Sequence, residues 1–337
     1  TGFETRPALT KNVAGGSIDT HPPAACDPRP PGPGMTTGRW YRSARDATGP
    51  RRSSSRRTAR AYHRDVFLGV DIGNSAAKAA TVEGETIHQS GRLDTSAAGA
   101  DDLLDGLRVL AGALDEPPEG IIAVSVVDRW TERLERAADV LALPLTVVAA
   151  SHIPISTGLV RADQTGPDRL LAAWAAAHLH GSPVIVVDLG TATTVDVVDS
   201  DGCYLGGAIL PGLGLAADSL ADGTARLPRV DVDLPADAIG ADTASAIASG
   251  IVIGHIGAVR ELALRMHERI DRDDRSTAPT KVVITGGHAA APWAEAAWRT
   301  PTAGLPVIAD ELDPDLVLRG LGLLAEHMHA RPPAGAT

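Results

Sequence analysis

One pattern constrains the fold of this chain more than any other, because it occurs twice. Residues 66–85 read VFLGVDIGNSAAKAATVEGE: an apolar run ending in Asp-x-Gly, a short turn, then two further β-type segments around a Gly. Residues 183–207, PVIVVDLGTATTVDVVDSDGCYLGG, repeat that hydrophobic pattern and lay Asp188-Leu189-Gly190-Thr191 over Asp71-Ile72-Gly73-Asn74, 117 residues on. Each copy predicts a β-meander that opens an α/β unit. Helical apolar spacing follows in residues 100–114, 131–141 and 166–180, with strand-like runs at 120–127 and 144–149 between them. After the second meander the pattern predicts helices at 214–221 and 241–270, a strand at 281–284, a helix after Gly287, a strand near Val307 and a last helix over 315–326. Two similar halves, residues 65–181 and 182–330, are expected, with a ligand cleft between them.

Residues 1–64 are different in texture. They carry six prolines between Pro22 and Pro33 and an Arg/Ser run from Arg51 to Arg60, without apolar periodicity, and predict a disordered basic leader. Its Arg-rich, acid-poor part has the composition of a transit peptide, and Met35 inside it equally suits translated upstream sequence, the reading favoured here. The leader holds 12 Lys/Arg against 4 Asp/Glu; of the chain's 31 basic and 42 acidic residues, 19 and 38 remain from residue 65 onward. An acidic body is a poor candidate for sequence-independent nucleic-acid binding, so an anionic ligand has to be met locally. Cys26 and Cys203, 177 positions apart, supply neither a disulfide framework nor a zinc spacing, and a reducing cytoplasm is the default expectation. The richest apolar stretch singled out, residues 203–220, is broken by glycines and Pro211, so no membrane span is expected.

A strand ending in Asp-x-Gly places a carboxylate beside a turn whose backbone N–H groups can approach a phosphate closely. One copy is an ordinary strand-to-turn corner more often than a site. Two copies at the starts of matching units can hold the phosphates of one nucleotide while their Asp residues organise a divalent metal, usually through water.

Paired turns on duplicated meanders resemble the actin-like, sugar-kinase and Hsp70 ATPase superfamily, whose fold is a duplicated ribonuclease-H-like α/β domain with a nucleotide cleft. DIGNSAAK (71–78), GPDR (166–169), DLGTATTVDVV (188–198), YLGGAILPGL (204–213), TARLPRV (224–230), ITGGHA (284–289) and DLVLRGL (315–321) are similar, in sequence and order, to the type III pantothenate kinase family. The resemblance implies ATP-dependent phosphorylation of pantothenate to 4′-phosphopantothenate, the entry step to coenzyme A, with Mg²⁺ and a monovalent cation (K⁺ or NH₄⁺), in a cytoplasmic homodimer whose acceptor site lies near the subunit interface. It assigns Asp71, Gly73, Asn74, Ser75 and Lys78 to the first phosphate turn, with Asp71 on Mg²⁺, directly or through water, and Gly190 and Thr191 to the second. Asp188 falls to the monovalent cation. Gly166, Asp168, Arg169 and Thr224 fall to pantothenate, with Asp168 as the base that faces the reacting hydroxyl and Arg169 as a fork for the substrate carboxylate.

Read without the resemblance, Asp168 and Arg169 suit a helix-capping or surface ion pair equally well. Ser75 stands where the family more often has Thr, keeping the hydroxyl. Ala172 replaces a common Asn, and Leu159 stands near the place of a pocket Tyr, so the nucleotide half is better preserved than the acceptor pocket. That departure keeps two rivals open: a regulatory paralogue with little catalysis, whose basic leader would make the contact, and a kinase for another small hydroxy acid. His178 with His180, and His327 with His329, lie two apart and share no helix face as metal ligands would. Trp174, Trp293 and Trp298 read as core.

Overall fold

A computed structural model of the chain describes residues 65–95, 100–159, 161, 164–273, 278–300 and 308–329. The basic leader lies outside the described residues. Strand β1 (Phe67–Ile72) pairs antiparallel with β2 (Ala76–Glu83), which pairs antiparallel with β3 (Thr86–Asp94). On its other side β1 runs parallel to β4 (Gly120–Ser125), and β4 to β5 (Leu145–Val147), giving the order β3-β2-β1-β4-β5. Nearly every residue of β1 and β4 is buried, as inner strands covered on both faces require.

The second copy repeats this plan. Strands β7 (Val184–Leu189), β8 (Ala192–Val198) and β9 (Cys203–Pro211) form the meander, and β10 (Lys281–Thr285) and β11 (Glu311–Leu312) follow parallel to β7. The order β11-β10-β7-β8-β9 mirrors the first sheet, and the pair constitutes a duplicated ribonuclease-H-like fold. One two-residue strand that the sequence pattern does not announce, β6 (Ser156–Thr157), adds to the edge at β9. Val307 lies outside the described residues; the strand paired in that region is β11.

Helices complete the layers. On the outer face of the first sheet, α1 (Ala100–Gly112) and α2 (Asp128–Leu141) bury Leu107, Trp130 and Leu134 against Leu68, Val70 and Ile121. Between the sheets lie α3 (Pro167–His180) and α7 (Leu316–His329), which pack on each other. The last helix covers β1, β2 and β4 of the first sheet, while α3 covers β7 and β8 of the second, so one apolar core joins Phe67 and Val82 to Val184 and Val186. On the outer face of the second sheet, α4 (Leu213–Gly223) and α5 (Thr243–Asp273) bury Leu213, Ile247, Val252 and Val259, and α6 (Ala294–Trp298) adds Trp298. The continuous helix expected after Gly287 is instead a 3₁₀ turn (Gly287–Ala290) and the short α6, with Pro292 between them.

Helix α5 corrects the reading of residues 203–220 as the most membrane-like stretch. Its most apolar window has a mean hydropathy of 1.5 and is long enough to cross a bilayer by length and composition. Ile247, Ile251, Val252, Ile253, Ile256 and Val259 give it that score, and one edge of it packs on β7 and β8.

Candidate active site

The carboxyl ends of β1, β7 and β10 and the N-termini of α3 and α7 converge on one cavity of about 480 Å³ between the two sheets. Open α/β sheets bind ligands at this position. The first turn, Gly73-Asn74-Ser75, is closed by the Gly73 N–H donating to the Ala76 carbonyl at 2.9 Å. Thr95 Oγ1 donates to the Asn74 carbonyl at 2.9 Å and holds the turn from behind. The second turn, Gly190-Thr191, is held by the Gly212 N–H donating to the Thr191 carbonyl at 3.0 Å. Across the cleft the turns touch: Ser75 Oγ and Thr191 Oγ1 are 2.7 Å apart. Two hydroxyls and two Gly-containing turns thus face one space, as a polyphosphate needs.

Two carboxylates stand on the floor. Asp71 ends β1 opposite Lys78 on β2, and Asp188 is its counterpart on β7. Withdrawal from water raises Asp71 to about 6, against the pull of Lys78. The same desolvation, reinforced by the charge of Asp71, raises Asp188 to about 7. Lys78 reaches over the floor, its Nζ donating to the Pro314 carbonyl at 2.7 Å. Behind Asp188 the chain passes at Gly286 with φ of +92°, and a Cβ there would collide with the Asp188 carboxylate and the Leu189 backbone nitrogen.

The residues expected on the acceptor side begin α3. Pro167 occupies its first turn, where a missing N–H costs nothing, and Asp168 follows. The Asp168 carboxylate folds back over Gly166, where a Cβ would strike it. Desolvation raises its pKa in spite of backbone hydrogen bonds from Arg169 and from Asp168 itself. No side chain caps α3, whose N-cap is Gly166, and Asp168 in its first turn lines the cavity.

Arg169 does not turn to Asp168. It forks onto Asp196 of β8, with Nη2 donating to Oδ1 at 2.5 Å and Nε to Oδ2 at 3.2 Å. The buried Tyr204 hydroxyl donates to the same Oδ1 at 2.6 Å. Burial and the Asp196 charge drive the Tyr204 phenol well above its ordinary range. One edge of the guanidinium is thus committed to the protein, leaving Nη1 as the part of the fork still open to a ligand.

Asp71, Gly73, Asn74, Ser75, Lys78, Asp168, Arg169, Asp188, Gly190 and Thr191 all line this cavity. Gly166 caps α3 directly behind it. Thr224 stands apart: it is exposed at the end of α4, donating to the Leu220 carbonyl at 2.8 Å. Ala172 is buried in the core and Leu159 packs against that core, so neither replacement lines the cavity. Sequence reasoning missed Asp196 and Arg92 and set His288 aside, although Arg92 and His288 line the cavity. An Asp inside the apolar run of β8 was the available signal for the first, since a charge there must have a partner.

Among the described residues no three His, Cys, Asp or Glu side chains gather into a metal cage. Two recessed carboxylates facing a phosphate-sized space still fit Mg²⁺, which keeps several waters and binds through one or two carboxylates plus substrate phosphates.

A nucleotide cleft of this kind is shared by many kinases, and the comparisons narrow it. The sequence model of type III pantothenate kinase matches residues 67–265. The chain is 35% identical over 266 residues to a type III pantothenate kinase of Dehalococcoides mccartyi, covering 77% of this chain and 97% of that protein. It is 36% identical over 272 residues to a type III pantothenate kinase of Rubrobacter xylanophilus, with the same coverage of each. Among solved structures, a Baf family transcriptional activator from Campylobacter jejuni is 19% identical, with a TM-score of 0.49, over 78% of this chain and 100% of that one. With its duplicated meander, its paired turns and near full-length relatives at this identity, the chain belongs to the type III pantothenate kinase family.

Proposed function

We propose that the chain transfers the γ-phosphoryl group of ATP to the primary hydroxyl of pantothenate, forming 4′-phosphopantothenate and ADP. The observation that carries this reading is the meeting of both phosphate turns, through Ser75 and Thr191, in one cavity with Asp168 and Arg169. The bond from Pγ to the β-bridging oxygen breaks, a bond from the acceptor oxygen to Pγ forms, and the hydroxyl proton passes to the Asp168 carboxylate. An alcohol is too weak an acid for outright deprotonation. In a loose transition state the proton leaves late, so Asp168 needs only to orient the hydroxyl and then accept its proton. Its raised pKa makes it a better acceptor. Gly73, Asn74, Ser75, Gly190 and Thr191 hold the phosphates, and Lys78 offsets their charge. Mg²⁺, when bound, neutralises the developing phosphate charge, and Asp71 is the carboxylate assigned to it. The place of a monovalent cation at Asp188 rests on the family resemblance.

The acceptor pocket is completed in a homodimer. Thr224 lies outside the cavity of its own chain, which supports a pantothenate contact made across the subunit interface. Helix α5 presents exposed Ile253, Leu264, Gly250, Gly254 and Gly257 to solvent, an apolar strip suited to that second copy. Sedimentation reads this state directly.

The test is ADP release with ATP, Mg²⁺ and K⁺, with and without pantothenate, together with the mass of the product. Pantothenate-dependent ADP matched by phosphopantothenate is expected; a folded protein giving neither would overturn the reading. Asp168→Asn should abolish turnover and leave ATP binding intact, and near-normal turnover would remove Asp168 from the mechanism.

A further inference from the structure

Strand register places three charges in one row across the first sheet. Asp71 pairs with Lys78, and Lys78 with Arg92 on β3, so all three side chains leave the same face, toward the cleft. Lys78 and Arg92 are like charges directly opposite each other, an arrangement that destabilises an antiparallel pair unless an anion lies between or beside them. Asp71 answers one of the two. Among the described residues no carboxylate forms an ion pair with Arg92.

The Arg92 side chain is exposed and crosses the mouth of the cleft. A Cβ built on Gly287 of the other half would lie 3.0 Å from its Nη1. Its charge reaches His288, whose pKa is held down by burial first and by Arg92 in addition. The other cavity-lining arginine, Arg169, is forked onto Asp196 at the start of α3. Arg92 therefore stands on the opposite wall, at the Gly286-Gly287 turn beside Asp188.

We infer that Arg92 is a nucleotide-binding residue: its guanidinium takes phosphate oxygens of ATP from the first half while the Gly286-Gly287 turn approaches from the second. This rests on the kinase reading above. A planar fork suits two phosphate oxygens, and an anion there relieves the repulsion between Arg92 and Lys78.

The test compares wild-type full chain, Arg92→Ala and Arg92→Lys in calorimetric binding of a non-hydrolysable ATP analogue with Mg²⁺ and, separately, of adenosine. Because Arg92 is exposed, the fold should survive either change, and a thermal melt checks this. Loss of a charge-assisted hydrogen bond predicts analogue binding about 10-fold or more weaker in Arg92→Ala, partly recovered in Arg92→Lys. Adenosine affinity and the KM for pantothenate should stay within about twofold of wild type. Analogue affinity within about twofold of wild type in Arg92→Ala would overturn the inference, whatever happens to kcat. Equal weakening of adenosine would overturn it too, as a general structural effect. A wild-type chain that binds no analogue would instead sink the kinase reading itself.

Discussion

The Arg169–Asp196 fork gives the most demanding test of how this site is held. In Asp196→Asn the side chain keeps its shape but loses its charge and one acceptor oxygen. Arg169 then has no full fork at 2.5 and 3.2 Å, and the Tyr204 hydroxyl competes for the single oxygen left. Breaking a buried pair from one side costs about 3–5 kcal/mol, because the remaining charge is stranded. Arg169 keeps 18% of its side-chain surface on the cleft, against 3% for Asp196, so water takes part of the load and the lower end, about 3 kcal/mol, applies. Against a total stability of roughly 5–15 kcal/mol the variant remains folded. A loss of that size lowers the melting temperature by about 6–12 °C for a protein of this size class. Removing the other partner, as Arg169→Met, strands the more deeply buried Asp196 and should cost at least as much. The double variant should then be less damaged than the sum, with a coupling of about 2–3 kcal/mol. Denaturant melts of the four proteins measure the cycle. A melting shift under about 2 °C for Asp196→Asn, or additive singles, would refute the argument that the fork carries this much.

Two other outcomes follow from the carboxylate floor. Asp71 at about 6 and Asp188 at about 7 lie above the ordinary value of 3.8, so the ligand-free fold binds more protons than the unfolded chain between those values. That stabilisation is full below the ordinary value and is lost as pH rises through 6 and 7, whereas Mg²⁺ requires the charged forms. Thermal stabilisation by Mg²⁺ with an ATP analogue should therefore grow from about pH 5.5 to about pH 8, and a pH-independent shift would contradict the assignment. Gly286→Ala should cost about 2–4 kcal/mol by denaturant melt, from a φ that L side chains avoid and from displacement of Asp188; a cost under about 1 kcal/mol would show that the turn relaxes freely.

Much of the nucleotide half was legible because its signals are local. The two meanders announce themselves by apolar runs, Asp-x-Gly ends and a common spacing, and the Ser75–Thr191 contact is what two such turns produce when their sheets face each other. The acceptor half was less legible because its determinants are long-range. Arg169 looks free in sequence, and only the folding of β8 against α3 brings Asp196 to it, 27 residues away. Arg92 belongs to no motif and gains meaning from cross-strand register with Lys78. Ala172 looked like a lost pocket contact, but the helical phase of α3 turns it into the core beside Leu171. Strand β6 has two residues, too few for any periodicity to register.

The placement of α7 also bears on the order in which the molecule can come into being. This helix, formed by residues 316–329, roofs the sheet built from residues 67–147. During synthesis the first half emerges early, yet one side of its sheet waits for about 170 further residues before it is shielded from water. A pair of similar units descended from one pattern has in this way become mutually dependent. The first half alone should be an adhesive intermediate, and a nascent chain stalled before Leu316 should be a substrate for chaperones, while the finished protein unfolds as a single cooperative body.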